Sequence, residues 1–185
     1  MSRVNLIGIC GYAGVGKDTL GNILMDQYRE NGVDCFKESF ANEVRHDLDF
    51  LLTKHLGISA FTEDPKEKLL VRPLLITWGT KIMREQVDLD YWVKRFKPTY
   101  EDNMSGGAVT IMTDLRFENE LEWINSVGGR TIWLERQEVS PLNEDEEKYT
   151  KPLKNKCTYK IEWPDFKEMG CTPKAFVDDF LKTKW

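Results

Sequence analysis

Between Cys10 and Leu20 the chain reads Gly11-Tyr12-Ala13-Gly14-Val15-Gly16-Lys17-Asp18-Thr19, the GxxxxGK spacing of a phosphate-binding P-loop. Glycines at these intervals let a loop curl until successive amide N–H groups point inward. The dipole of a following helix and the Lys17 ammonium then add positive charge toward a bound anion. A nucleoside triphosphate is the ligand class this cradle fits, with Gly11, Ala13, Gly14, Val15, Gly16, Lys17, Asp18 and Thr19 as its contacts. The order G-x-x-G-x-G differs from the G-x-G-x-x-G of dinucleotide-binding turns, which removes the main support for a nicotinamide enzyme. Asp18 stands where such loops usually carry the Ser or Thr that contacts magnesium. A carboxylate can also hold Mg2+, and Thr19 follows directly, so the spacing leaves open which of the two serves.

Other residues could complete a phosphoryl-transfer site. Asp114, at the end of an apolar run, is placed like a second magnesium-organising carboxylate, and a helix N-cap is the plain alternative. Arg116 and Arg136 could put positive charge around a moving phosphoryl group; each could equally be a solvated surface arginine. Arg72 and Arg84 flank the stretch 73–83 and could hold an acceptor's phosphate, for which a guanidinium fork is well suited. Asp88, Tyr91 and Trp92 follow closely, although Asp88 also reads as a cap and Trp78 and Trp92 as core aromatics. His46 and His55, nine positions apart, share no metal-binding helix face and are assigned nothing.

These residues need elements to position them. Residues 4–10 read as a buried strand, and Leu20, Ile23, Leu24 and Tyr28 form one face of a helix that stops near Asn31-Gly32. A short strand at 33–36 leads through Ser39 to a helix with Val44, Leu48, Leu51 and Leu52 inward. Asp64-Pro65-Lys66-Glu67 carries an N-cap, a proline at N1 and a capping-box glutamate, and Pro73 is expected to kink or restart that helix. The run 108–113 reads as a central strand buried on both faces and ends at Asp114. A helix with Phe117, Leu121, Ile124 and Val127 stops at Gly128-Gly129, ahead of a strand at 130–134. The charged stretch 137–156 reads as a surface excursion or lid. A strand near 159–163 and a helix capped by Thr172-Pro173 close the chain. This strand-helix alternation predicts an α/β fold with a parallel sheet.

The 185 residues are of single-domain size, and 41% hydrophobic with 31% charged residues excludes both a disordered chain and a membrane protein. The opening Met1 to Gly8 lacks the apolar region and cleavage site of a signal peptide, and Cys10, Cys35, Cys157 and Cys171 form no CxxC pair. A cytoplasmic chain with reduced thiols and no membrane association is expected. A net charge of −5 argues against binding polymeric nucleic acid, so the partner is expected to be small.

Four stretches resemble the bacteriophage-type deoxynucleoside monophosphate kinases, a branch of the P-loop kinases. They are Gly11 to Thr19 with its GKDT ending; Val71-Arg72-Pro73-Leu74-Leu75 through Trp78-Gly79-Thr80; Asp88-Leu89-Asp90-Tyr91-Trp92-Val93; and Thr113-Asp114-Leu115-Arg116 with Gly128-Gly129 and Arg136. The resemblance implies a three-layer fold around a parallel five-stranded sheet, one domain over 1–185 with a helical acceptor-binding region at about 38–105 and a lid at about 137–156. It implies ATP as co-substrate, Mg2+, and γ-phosphate transfer to a deoxynucleoside monophosphate. By motif, Lys17 would contact ATP phosphates, Arg72 and Trp92 would lie by the acceptor, and Asp114 and Arg116 would line the reaction crevice. Arg136 would start the lid. The cytoplasm would be a host's if the chain is phage-encoded, and a homodimer is left open.

Other readings remain at this point: a P-loop kinase for another phosphorylated acceptor, of the phosphomevalonate or dephospho-coenzyme A type; a nucleotide-binding regulatory module; and a catalytically silent structural subunit. The regulatory module finds no guanine-selective N-K-x-D in the chain.

Overall fold

The computed structural model describes residues 4–184, so Met1–Arg3 of the leader reading lie outside the described residues. The chain divides into two compact units. One comprises the described residues up to Glu38 together with those from Tyr100 onward; the other is Ser39–Thr99.

The first unit is built on a sheet whose five strands are all parallel: β1 (Leu6–Cys10), β2 (Cys35–Glu38), β3 (Val109–Leu115), β4 (Arg130–Arg136) and β5 (Tyr159–Trp163), in the spatial order β2-β3-β1-β4-β5. β1 is buried at every position, as a strand with neighbours on both sides and cover on both faces must be. Ile7, Ile9, Val109, Ile111, Ile132 and Leu134 form the core with Leu20 and Leu24 of α1 (Lys17–Glu30). The outer strand β5 alternates toward its end, burying Ile161 and Trp163 and exposing Lys160 and Glu162. Register runs from Leu6 opposite Thr110 to Cys10 opposite Leu115, one residue out of step, so the β3 end is bulged beside the end of β1.

Connections leave β1 toward β2 on one side and β3 toward β4 on the other. The directions therefore reverse at β1 and β3, and the crevice beyond their C-terminal ends is where open parallel sheets take ligands. The loop after β1 is Gly11 to Gly16, and Asp114 lies at the end of β3.

The second unit is helical. α2 (Phe40–Leu56) is capped by Ser39, whose hydroxyl accepts from Ala41 N, and α3 (Pro65–Ile76) by Asp64, which accepts from Lys66 N and Glu67 N. Leu52, Ala60 and Val71 form its small core, with Leu48, Ile58 and Leu75 against them. Two expectations are corrected here. Pro73 does not restart the helix: α3 runs through it to Ile76 and then opens into wide π-helical turns over Thr77–Val87. Leu51, expected inward, is half exposed, whereas Leu52 carries that face. α4 (Tyr91–Ser105) leads back to β3.

α5 (Glu118–Ser126), a short α6 (Phe166–Met169) and α7 (Pro173–Lys184) complete the chain, the last with Val177 fully buried. Residues 137–156 are less of a surface excursion than their charge implies. Glu146–Thr150 and Lys151–Asn155 each make a helical turn, and Glu146, Thr150 and Leu153 are buried. No helix among the described residues is long and apolar enough to cross a membrane.

Candidate active site

The cradle after β1 depends on glycine at two positions in particular. At Gly11, φ is +143° and a Cβ would stand 2.3 Å from the Leu134 carbonyl, so the loop leaves β1 pressed against the backbone of β4. At Gly16, φ is +104° and the Trp163 indole lies 3.1 Å from where a Cβ would be. Both conformations are strained for any residue with a side chain. Trp163 is held there by edge contacts to Phe166 and Phe176. α1 begins at Lys17, so its N-terminus opens onto the loop.

Lys17 folds back over its own loop, donating from Nζ to the Gly11 and Tyr12 carbonyls, each at 2.8 Å. Burial pulls the ammonium below its ordinary pKa of 10.5, and the Arg116 charge adds to that; Glu146, Asp18 and Cys10 oppose it. Lys17, Arg116, Asp18 and Glu146 are thus electrostatic neighbours. Arg116 is exposed, but its backbone is fixed: the buried Glu120 carboxylate accepts from both Arg116 N and Phe117 N, at 3.0 and 3.1 Å.

Asp18, in the first turn of α1, accepts from the Thr113 hydroxyl of β3 at 2.9 Å and from Lys37 Nζ of β2 at 3.4 Å. Three elements meet at this carboxylate, and Asp114 is the residue after Thr113. Among the described residues no group of three or more His, Cys, Asp or Glu side chains could hold a metal ion. Mg2+, however, is usually held by one or two carboxylates together with phosphate oxygens and water, and the all-oxygen chemistry of Asp18 and Asp114 fits that ion.

Arg136 ends β4 and lines a cavity of about 220 Å³ with Tyr12, Val15, Trp133 and Lys154. Tyr12 and Trp133 make an edge contact at 5.4 Å, so the cradle's second residue also walls this cavity.

The remaining predicted site residues belong to the helical unit. Arg72 is exposed on α3, and Arg84 is buried within the π-helical segment. Asp88 accepts from Asp90 N at 3.0 Å and from Lys94 Nζ at 2.6 Å, which hold its carboxyl below the usual carboxylate range, Lys94 most. Trp92 is fully enclosed and donates its indole N–H to the Gly79 carbonyl at 2.8 Å. Arg95 pairs with Glu43 and Asp47, and Asp47 also accepts from the Trp78 indole at 3.2 Å.

Three participants are given no role by the sequence reading. Thr113 shows its role only through a contact 95 residues distant. Trp163 looks like any strand aromatic. Glu146, one acid among Glu144, Asp145 and Glu147, puts one carboxylate oxygen on Ala13 N at 3.1 Å and the other on Leu142 N at 2.9 Å. The one local signal was Asn143, whose side chain caps Glu146 N at 3.0 Å.

Comparison with known proteins decides the family. The deoxynucleotide monophosphate kinase family model matches residues 30–155, well over half of the chain. The chain belongs to that family. It is a kinase, as its own sequence resemblance implies, and the regulatory and structural readings give way. The match starts beyond the cradle, so Gly11 to Thr19 stands as separate support. A protein of Acanthamoeba polyphaga mimivirus, provisionally named a deoxynucleotide monophosphate kinase, is 26% identical over 151 residues, covering 73% of this chain and 76% of its own. Among solved structures, a sugar kinase from Janibacter sp. HTCC2649 is similar in fold at a TM-score of 0.50 and 11% identity, covering 97% of this chain and 94% of the other. The expected α/β fold around a five-stranded parallel sheet is the one the chain has.

Proposed function

We propose that this kinase transfers the γ-phosphoryl group of ATP to a deoxynucleoside monophosphate, giving the diphosphate and ADP. The observation that carries the reading is a strained glycine cradle with Lys17 folded over it, at the ligand-binding end of β1, in a chain of the deoxynucleotide monophosphate kinase family.

The amides of Gly11 to Thr19 would enclose the triphosphate, and Lys17 would exchange its two carbonyl contacts for phosphate oxygens. Asp18, oriented by Thr113, and Asp114 would hold Mg2+, which when bound neutralises phosphate charge. Arg116, fixed by Glu120, and Arg136 would face the transferring group. Arg72, Arg84 and Asp88 would recognise the acceptor, and Trp92, fully enclosed, would serve that region by its hydrogen bond to Gly79 rather than by touching the acceptor. Catalysis is then by positioning and charge neutralisation, with no covalent enzyme intermediate.

The test is ADP release with ATP and magnesium over the deoxynucleoside monophosphates, for the wild type and Arg72→Ala. At least one acceptor should stimulate turnover, and Arg72→Ala should raise its KM about tenfold or more, the scale of a lost charge-assisted contact. Turnover only with phosphomevalonate or dephospho-coenzyme A would replace this reading with the rival acceptor.

A further inference from the structure

The cradle amide of Ala13 already has an anion on it. Glu146, 6% exposed, accepts from Ala13 N through Oε1 and from Leu142 N through Oε2, while its own amide donates to Asn143. A carboxylate buried this deeply and satisfied at both oxygens is held in place by the loop 142–146, on the third residue of the glycine loop and as an electrostatic neighbour of Lys17. We infer that Glu146 is a resident stand-in for phosphate, which holds the cradle in the free protein and must withdraw when a polyphosphate enters. This rests on the reading of Gly11 to Thr19 as the donor site.

Two anions cannot share the Ala13 amide, and a polyphosphate beside a buried carboxylate is repelled more strongly than it would be in water. The same side chain closes the 142–146 loop through Leu142 N, so a carboxylate that leaves Ala13 moves with that loop. Leu153, fully buried beyond it, anchors the chain that follows. Nucleotide entry and release of this segment are therefore one event, and Glu146 sets donor affinity without touching the transferred group.

Glu146→Gln discriminates well. It keeps the shape but has one acceptor where the latch needs two, and it carries no charge. Asn143→Ala, at an exposed position, loosens the same latch from its cap and serves if Glu146→Gln folds poorly. Calorimetric titration with inorganic tripolyphosphate, which probes the cradle without base or acceptor, should give about fivefold tighter binding for Glu146→Gln and about twofold for Asn143→Ala. The free variants should also melt below the wild type. Unchanged or weaker tripolyphosphate binding, with the wild type binding, would overturn this inference and leave the donor site standing. No binding by any of the three would overturn both.

Discussion

The Nζ of Lys17 lies 2.8 Å from the Gly11 carbonyl, so the cation sits over the residue that opens its own loop. Its partners are neutral carbonyls of the cradle rather than a fixed carboxylate, and exchanging them for phosphate oxygens strands no buried charge. Lys17→Met keeps length and removes the charge. Turnover should fall by about 100- to 1,000-fold, the scale of losing one preorganised donor to developing transition-state charge, with the circular dichroism spectrum unchanged. Turnover within twofold of wild type would exclude the cradle as the donor site.

Thr113 orients the Asp18 carboxylate across the β3–α1 contact. In Thr113→Val, a near-isosteric change, the carboxylate loses that orientation, and the Mg2+ concentration for half-maximal turnover should rise roughly tenfold, the cost of losing a partner of a metal ligand. A magnesium titration that overlays the wild type would show that Asp18 does not hold the ion.

Trp92 ties α4 to the π-helical segment through one buried hydrogen bond. Trp92→Phe leaves the Gly79 carbonyl without its donor and should cost about 1–3 kcal/mol by urea denaturation. No change in the urea midpoint would mean that the contact carries no stability.

Burial raises the Cys35 thiol from its ordinary 9.0 to about 11, against the nearby Arg29 charge. Between those values the folded protein keeps a proton that the unfolded chain releases, so this contribution to stability is whole below pH 9 and is lost as pH rises toward 11. Cys10, raised by its hydrogen bond to Cys157 and by burial, acts in the same direction, and Lys17 in the opposite one. Urea midpoints of Cys35→Ala should therefore decline less steeply than the wild type above pH 9. Parallel curves would show that Cys35 does not titrate on unfolding.

Much of this was written locally in the chain. β1 is a continuous apolar run because both its faces are covered, and Asp64 and Thr172 sit before prolines at helix starts, where their side chains accept from the first-turn amides. The cradle was legible because its glycine spacing answers backbone geometry alone. What stayed hidden depends on distant partners. Leu51 and Leu52 are alike until the α2 face is known, and nothing near Glu146 in the chain shows that its carboxylate meets Ala13 N, 133 residues away. The four-residue α6 is too short for any periodicity to mark it. The grouping of Lys17, Asp18 and Arg116 follows from β1 and β3 lying side by side, which spacing along the chain does not specify.

The most direct test of phosphoryl transfer follows the fate of the label from γ-labelled ATP with magnesium, in the presence and absence of deoxynucleoside monophosphates. The account predicts label in a deoxynucleoside diphosphate, formed only when its monophosphate is supplied, and none from Lys17→Met. Label released solely as inorganic phosphate, at the same rate with or without acceptor, would contradict it.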